Sequence, residues 1–245
     1  MKHVMLLDIA FEQGGRHNVI TPVLLRDERE TILVDCGYPH FYPHFRSAVE
    51  RHGLQLDAIT KIVVTHHDMD HIGALAALKR AHPQIEVIAY EEEEPYIRGE
   101  KKSLRLVQAE STYDGLPDES KPWAEQFIRY LRSVEPAPVD RTVAAGETLP
   151  WCGGIEIVHT PGHMPGHISL YLPASQTMIA GDAVVIEEGK LNIANPQFTL
   201  DMDEAVRSVR RLLEYDIERL ICYHGGEFHG DVRSALLQLV ETYTA

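Results

Sequence analysis

The sequence predicts an α/β fold in which two mixed β-sheets pack between outer layers of helices. Two observations favour this architecture. Apolar, β-branched runs typical of strands are followed in both halves of the chain by segments with helical apolar spacing. The length of 245 residues suits one sizeable core, so residues 1–245 are expected to form a single domain built from two halves.

The first half predicts one mixed sheet with helices on one face. Its expected strands are residues 3–11, 17–25, 31–34, 62–65 and 85–90. Gln13-Gly14-Gly15 separates the first two strands, as in a hairpin. Helical spacing occurs over 41–49, where Gly53 is a plausible stop, and again from Asp70 to about His82. This strand–helix–strand order is typical of a sheet with parallel neighbours.

Segment 91–140 differs in character from the rest of the chain. It begins with four consecutive glutamates, is polar, and contains five prolines. Short helical faces near 104–107 and 123–131 predict a helical insertion between the two halves, either over the site or between the halves. Its aromatic residues are candidate pocket walls, although packing within the insertion is an equal alternative; they are Tyr96, Tyr113, Trp123 and Phe127.

The second half repeats the order of strands followed by a strand–helix unit. Its expected strands are residues 142–144, 155–159, 168–172, 177–180 and 219–223. A helix over 201–214, with Asp201 as its N-cap, and a closing helix over 232–240 complete the chain. The two halves together predict four layers, in the order helix, sheet, sheet and helix.

Composition and charge exclude several classes of partner. The formal net charge is −14 at pH 7, which disfavours binding to a nucleic-acid backbone. No stretch approaches the roughly 20 apolar residues of a membrane span. Met1-Lys2-His3 runs directly into a strand-like segment, so no signal peptide is expected. Three separated cysteines without a CxxC favour reduced thiols and a cytoplasmic location.

Polar clusters follow five of the predicted strands. The densest is His66-His67-Asp68-Met69-Asp70-His71, at a strand-to-helix turn. Because strand ends at one sheet edge converge, residues from four of these clusters could meet around one point; they are His66, Asp68, Asp70, His71, His163, Asp182 and His224. Imidazoles and carboxylates packed this densely would be costly to bury without a compensating cation, and a solvated polar loop is the alternative interpretation of the run 66–71. Seven nitrogen and oxygen donors exceed one tetrahedral ion, so the sequence predicts two metal ions sharing a carboxylate.

The order and spacing of these motifs resemble the metallo-β-lactamase fold superfamily over nearly the whole chain. The motifs that carry the resemblance are Leu33-Val-Asp-Cys-Gly37, Thr65-His-His-Asp-Met-Asp-His71, Thr160-Pro-Gly-His-Met-Pro-Gly-His167, Ala180-Gly-Asp182 and Tyr223-His-Gly225. The resemblance implies an αβ/βα sandwich with the site at the shared edge of its sheets. It also implies a first metal on His66, Asp68 and His163, a second on Asp70, His71 and His224, and Asp182 as the bridge.

One position departs from the family pattern. The usual His-x-His-x-Asp-His reads His66-His67-Asp68-Met69-Asp70-His71, so Asp68 stands where the second histidine belongs. A carboxylate there adds negative charge and hardness. Zinc is the expected metal, and Asp68 makes manganese or iron alternatives. The competing interpretation of Asp68 is a residue that hydrogen-bonds a ligand beside a single metal.

Several neighbouring residues are predicted to support the site rather than to bind metal. His67 is expected to point away from it, and Asp35 to hydrogen-bond a ligand histidine or a turn. His167 is expected to be packed or hydrogen-bonded, and His229 to be a loop residue. Other positions are expected to be buried thiols or surface histidines; they are Cys36, Cys222, His40 and His44.

The resemblance implies a metal-dependent hydrolase in which hydroxide between two ions opens an ester, lactone or thioester of a small molecule. Asp70 would orient that hydroxide and protonate the leaving group. The resemblance is to the lactonase and glyoxalase-II branch, but Ala183-Val-Val185 follows Asp182 where lactonases carry a tyrosine. Three alternative functions are a non-haem iron redox enzyme, a phosphodiesterase and a non-catalytic metal-binding protein. A homodimer formed through segment 91–140 is a further hypothesis.

Overall fold

Two six-stranded sheets, two two-stranded hairpins and the helices on the outer faces of the large sheets make up the structure, a computed structural model that describes residues 3–244. Met1 and Lys2, which bear on the expected lack of a signal peptide, lie outside the described residues. The strands of the first half are β1 (His3–Leu6), β2 (Ile9–Gln13), β3 (Arg16–Ile20), β4 (Val23–Arg26), β5 (Thr31–Val34), β6 (Lys61–Val64), β7 (Glu86–Tyr90) and β8 (Arg141–Val143).

The remaining elements follow the predicted order closely. The strands of the second half are β9 (Thr148–Leu149), β10 (Ile155–His159), β11 (Ile168–Leu172), β12 (Thr177–Ile179), β13 (Val185–Glu187), β14 (Lys190–Asn192), β15 (Arg219–Cys222) and β16 (Gly226–Glu227). The α-helices are α1 (Tyr42–Arg51), α2 (Met69–Ile72), α3 (Leu75–Ala81), α4 (Glu94–Ile97), α5 (Leu104–Thr112), α6 (Lys121–Leu131), α7 (Met202–Leu212) and α8 (Val232–Thr244). None of the helices in residues 3–244 is long and apolar enough to cross a bilayer.

Both large sheets are mixed, as predicted. The first has the order β1-β4-β5-β6-β7-β8, and its pairs from β5 to β8 are parallel. The second has the order β16-β15-β12-β11-β10-β9, and its one parallel pair is β12 with β15. The predicted hairpin around Gly14 and Gly15 is present and connects β2 to β3.

Side-chain alternation along the strands separates three apolar cores. In β6, Ile62 and Val64 face α1 and α3, whereas Val63 faces the second sheet. The middle core therefore lies between the sheets, and a third core packs the second sheet against α7 and α8. Asp201 caps α7 by accepting a hydrogen bond from the Glu204 backbone at 2.9 Å, as predicted. The four-layer sandwich expected from the sequence is confirmed.

Segment 91–140 is helical, as expected, and the strand that follows it pairs in the first sheet, although residues 142–144 were expected to begin the second half. It contains α4, α5 and α6 and leads into β8, which pairs in parallel with β7. Parallel neighbours require a crossover connection, so this segment is the crossover that closes the first sheet. The two sheets are joined later, by the short connection between β8 and β9.

The single helix predicted from Asp70 to about His82 is divided into α2 and α3. The division follows from packing against the loop after β5. The Ala74 N–H donates to the Cys36 carbonyl at 3.2 Å instead of continuing α2, and the Cys36 N–H donates to the His71 carbonyl at 2.8 Å. Gly73 lies at this junction, against the backbone of Tyr38 and Pro39.

We predict that Gly73→Ala destabilises the fold. A Cβ at residue 73 would lie 2.1 Å from the Pro39 nitrogen and 2.2 Å from the Tyr38 carbonyl carbon, so the loop would have to move. The expected loss in the free energy of unfolding is about 1–3 kcal/mol, measured by urea denaturation. Gly115→Ala is the matched control, because a Cβ there meets nothing within 4 Å. Equal midpoints for the two variants would contradict the prediction.

Candidate metal centre

The C-terminal ends of strands from both sheets meet at one edge. The polar residues that follow these strands are Asp35 after β5, His66 to His71 after β6, His163 after β10, Asp182 after β12 and His224 after β15. The sheets are linked at this point, because the Ile168 N–H donates to the Thr65 carbonyl at 3.1 Å. This link holds the start of β11 beside the end of β6.

The structure brings together all seven residues predicted as metal ligands. Their nitrogen and oxygen atoms form three overlapping groups with internal distances within 4.8 Å: His66, Asp68 and His163; His66, His71 and Asp182; Asp70, His71 and His224. The first and third groups correspond to the two metal positions that the resemblance implies. Asp68, Asp182 and the histidines of the first group are buried, whereas Asp70 and His224 are partly exposed.

Asp182 lies between these two groups. Its Oδ2 is 3.6 Å from His163 Nε2, 3.5 Å from His71 Nε2 and 3.5 Å from His224 Nε2. One carboxylate oxygen is thus nearly equidistant from histidines of both groups. Asp182 therefore faces histidines of both candidate ligand groups at once.

The distances between the candidate ligand atoms are similar to those expected around a small divalent ion. Ligand bonds of 2.0–2.2 Å place two donors of a tetrahedral ion about 3.3–3.5 Å apart. The observed separations are 3.7 Å for His66 Nε2 to Asp68 Oδ2, 3.1 Å for His163 Nε2 to Asp68 Oδ2, and 3.2 Å for His224 Nε2 to Asp70 Oδ2.

Unsatisfied polar atoms point to the same site. Within residues 3–244, the buried side-chain atoms that have no hydrogen-bond partner all belong to predicted ligands; they are His66 Nε2, His71 Nε2, His163 Nδ1 and Asp182 Oδ1. A buried polar atom without a partner costs about 1–3 kcal/mol. His66 Nε2 and His71 Nε2 face the carboxylates of the site, so divalent ions there would satisfy both atoms. His163 Nδ1 is the ring atom opposite the Nε2 that faces Asp68, and an ion would leave it unsatisfied.

Asp35 and Thr65 orient two of the histidines. The Nδ1–H of His71 donates to Asp35 Oδ2 at 2.8 Å, and the Nδ1 of His66 lies 3.0 Å from Thr65 Oγ1. Asp35 in turn accepts hydrogen bonds from the Thr65 N–H and hydroxyl, both at 2.8 Å. Each ring therefore directs its Nε2 towards the site. The sequence-based interpretation of Asp35 agrees with this geometry.

His167 supports the Asp182 backbone instead of offering a ligand atom. Its Nε2 accepts the Asp182 N–H at 2.9 Å, and its Nδ1–H donates to Thr160 Oγ1 at 2.9 Å. Burial, together with the neighbouring His163, lowers the pKa of His167 to about 3, so the ring stays neutral and can accept this bond. Gly181 allows the close approach, because a Cβ there would lie 2.7 Å from His167 Nε2.

His67 points away from the metal centre, as predicted, and binds Glu93. Glu93 is fully buried and accepts from the His67 ring, from the His67 N–H at 2.8 Å and from the Gly166 N–H at 3.1 Å. The other ring nitrogen of His67 accepts the Leu104 N–H at 3.2 Å. Glu93 thus connects the loops after β6 and β10 to segment 91–140. The sequence offered no signal for Glu93 beyond its place in a run of four glutamates.

Asp68 has a partner that sequence reasoning missed entirely. Arg105 of α5 donates from Nη2 to Asp68 Oδ2 at 2.7 Å, and its Nε lies 3.3 Å from both carboxylate oxygens. Burial alone would raise the pKa of Asp68, but Arg105 and His163 outweigh burial and hold that pKa well below its usual range. Asp68 is therefore a carboxylate that faces both the histidines and a buried guanidinium.

The carboxylates also control the protonation of the histidines. Burial lowers the pKa of His224, but Asp182 and Asp70 outweigh burial and raise it to about 10. Burial opposes protonation of His71 as well, and Asp182 and Asp35 raise its pKa well above the usual range. By contrast, burial and the adjacent His71 hold the pKa of His66 well below that range. In the absence of an ion, His71 and His224 therefore carry protons near neutral pH.

A cavity of about 1210 Å³ opens onto the metal centre. Two of the four predicted wall residues line it, Trp123 and Phe127, together with residues that were not predicted: Tyr38, Arg105, Tyr130 and Phe198. The other two predicted wall residues lie elsewhere. Tyr96 stacks on His67 at a ring distance of 4.3 Å, and the Tyr113 hydroxyl donates to Glu125 at 2.6 Å.

The remaining candidates behave largely as expected. Cys36 and Cys222 are buried, and burial raises the pKa of both thiols, so neither is an activated nucleophile. His229 is an exposed loop residue. His40 was expected at the surface, and although exposed it also lines the rim of the cavity.

Two relatives illustrate the similarity of this chain to known hydrolases. A probable metallo-hydrolase of Bacillus subtilis (strain 168), YflN, is 28% identical over 237 residues, covering 91% of this chain and 86% of the relative. A hydroxyacylglutathione hydrolase of Rhizobium meliloti (strain 1021) is 26% identical over 163 residues, covering 66% of this chain and 46% of that protein.

Solved structures show the same fold. A metallo-beta-lactamase family protein from Thermus thermophilus superposes with a TM-score of 0.76 at 22% identity, covering 98% of this chain and 79% of that chain. The sequence profile of the metallo-beta-lactamase superfamily matches residues 17–224, which include every predicted metal ligand. The chain therefore belongs to the metallo-beta-lactamase superfamily.

Proposed function

We propose that this protein is a hydrolase that uses two divalent metal ions to cleave a thioester, ester or lactone of a small molecule. The observation that carries the proposal is the position of Asp182 Oδ2, 3.5–3.6 Å from histidines of both ligand groups. Two ions held in this way would lower the pKa of a water molecule and polarise the carbonyl that it attacks. Zinc is the proposed metal, because imidazole nitrogens predominate among the donors.

The protein's own groups would position the reactants. Asp70 lines the cavity, and its Oδ2 lies 3.2 Å from His224 Nε2, so it can hold a proton next to the substrate. The Tyr223 hydroxyl donates to the Asp70 carbonyl at 2.5 Å, which fixes the backbone of this residue. We assign Asp70 the task of receiving the proton of the attacking water and delivering it to the leaving group.

A thioester is the preferred substrate within this class. Hydroxyacylglutathione hydrolases are among the relatives, although the chain spans only about half of their length. The cavity has an aromatic wall formed by Trp123, Phe127 and Phe198, which suits an apolar acyl group. Val185 lines the cavity close after Asp182, and no tyrosine occurs among residues 183–185, which argues against a lactonase mechanism that depends on one there.

The carboxylate of Asp68 gave the sequence-based reason to consider iron redox chemistry. Its ion pair with Arg105 weakens that reason, because the guanidinium offsets the extra negative charge. Phosphodiester cleavage is disfavoured by the net charge of −14. A substrate panel and a metal analysis distinguish iron redox chemistry and phosphodiester cleavage from the proposed reaction.

The substrate class is tested with a panel of thioesters, lactones, aryl esters and phosphodiesters. We expect hydrolysis of acyl thioesters to have the highest kcat/KM. Activity should disappear with a chelator and return with added zinc. Stoichiometric iron with negligible hydrolysis of every carbonyl substrate would overturn the hydrolase proposal, and preferred cleavage of phosphodiesters would reassign the substrate class.

Asp70→Asn should lower kcat by about 10²-fold or more, because the amide cannot carry the proton. Metal content is measured on the same sample, since Asp70 is also a proposed ligand. Asp57→Asn, at an exposed position outside the site, is the control. If Asp70→Asn retained the parental kcat, Asp70 would have no role in proton transfer.

Metal binding should release protons. The pKa of His224 is raised to about 10 and that of His71 lies well above its usual range, so an ion must displace protons from both rings at neutral pH. The apparent affinity should therefore rise with pH, by about tenfold per pH unit for each proton displaced. Calorimetry in buffers of different ionisation enthalpy measures the number of protons. A pH-independent affinity between pH 6 and 8 would contradict this assignment.

A further inference from the structure

Arg105 is a charged residue in an unusually enclosed position. Its exposure is only 3%, and every part of its guanidinium is engaged. Besides its contacts with Asp68, Nη1 donates to Gln108 Oε1 at 2.6 Å and Nη2 donates to the Phe198 carbonyl at 2.5 Å. A guanidinium fixed by hydrogen bonds on three sides has little freedom to follow a substrate, so its function must be exerted through the groups that it contacts.

One oxygen of Asp68 faces the guanidinium and the metal position together. Asp68 Oδ2 is 2.7 Å from Arg105 Nη2, 3.1 Å from His163 Nε2 and 3.7 Å from His66 Nε2. A carboxylate oxygen has two lone pairs. One can accept from the guanidinium while the other is directed at an ion between the two histidines.

The negative charge of Asp68 and the positive charge of Arg105 offset each other. A histidine ligand at residue 68 would be neutral, an aspartate adds one negative charge, and Arg105 supplies one buried positive charge in direct contact. We propose that Asp68 and Arg105 act together as a neutral ligand, and that Arg105 thereby sets how tightly the position formed by His66, Asp68 and His163 holds a divalent ion. The inference rests on the proposed metal site.

The pair makes the two metal positions unequal. The carboxylate of Asp68 is shared with a guanidinium, whereas the ionic partners of Asp70 in the described chain are His71 and His224. A divalent ion at the position of His66, Asp68 and His163 would therefore share its carboxylate with a guanidinium, and an ion at the position of Asp70, His71 and His224 would not.

The test removes the charges of Asp68 and Arg105 separately and together. Metal content and stepwise dissociation constants for zinc are measured by mass spectrometry and by competition with a chromophoric chelator. Arg105→Met leaves Asp68 unpaired, so the zinc constant of the position formed by His66, Asp68 and His163 should tighten at least about tenfold. Arg105→Lys keeps the positive charge and should remain near the parental constant.

Asp68→His leaves the buried guanidinium without a carboxylate, so this variant should lose the zinc ion of the position formed by residues 66, 68 and 163 and unfold at a lower temperature. Asp68→His with Arg105→Met removes both charges, and it should recover two ions per chain and a higher midpoint than Asp68→His alone. If Arg105→Met fails to fold, the comparison of the double variant with Asp68→His still tests the proposal. Arg132→Met is the control, because Arg132 lies in the same segment and pairs at the surface with Glu110.

The outcomes separate this inference from the proposed function. Failure of the parental protein to bind zinc at all would remove the metal site itself. Two zinc ions in the parental protein, with unchanged constants in Arg105→Met and full metal content in Asp68→His alone, would overturn only the role of Arg105. A merely structural Arg105 would lower the midpoint equally in Arg105→Met and in the double variant, without moving the zinc constants.

Discussion

The concentration of carboxylates at one buried edge is the constraint on which the rest of the structure depends. Asp35, Asp68, Asp70 and Asp182 converge where the strands of both sheets end. Carboxylates held this close repel one another unless cations lie between them. Imidazoles and a guanidinium surround them, several of the nearby ring atoms lack a hydrogen-bond partner, and this pattern suits divalent ions.

Different residues around the candidate metal centre orient different side chains and backbone groups. Asp35 occupies Nδ1 of His71, Thr65 contacts Nδ1 of His66, and His167 holds the backbone of Asp182. In each case one hydrogen bond fixes a ring or a peptide so that the opposite atom faces the centre. Glu93 extends the same principle outwards, because it ties the loops after β6 and β10 together through buried hydrogen bonds. The precision of the site therefore comes from residues that would not touch an ion.

Apolar periodicity and motif spacing were sufficient to predict the four layers, nearly all of the longer elements and the seven converging residues. The ligand roles of those seven stay predictions. The short strands β9, β13, β14 and β16 were missed, because two or three residues give no periodic signal. The division of the helix at Gly73 and the placement of segment 91–140 depend on tertiary packing. Arg105 and Glu93 are single charged residues in a polar segment, and their importance comes from long-range contacts that no local pattern encodes.

Helix α5 connects the cavity to the loop that follows β6. Its first two residues reach the metal-binding loop, through the Leu104 N–H to His67 and through Arg105 to Asp68. The same guanidinium lies 5.3 Å from the Phe198 ring, which belongs to the cavity wall. A ligand that displaces α5 or Phe198 must therefore disturb the charge balance at Asp68. Binding free energies are reciprocal, so a change in metal occupancy at that position would alter the affinity of the cavity for its ligand by the same factor.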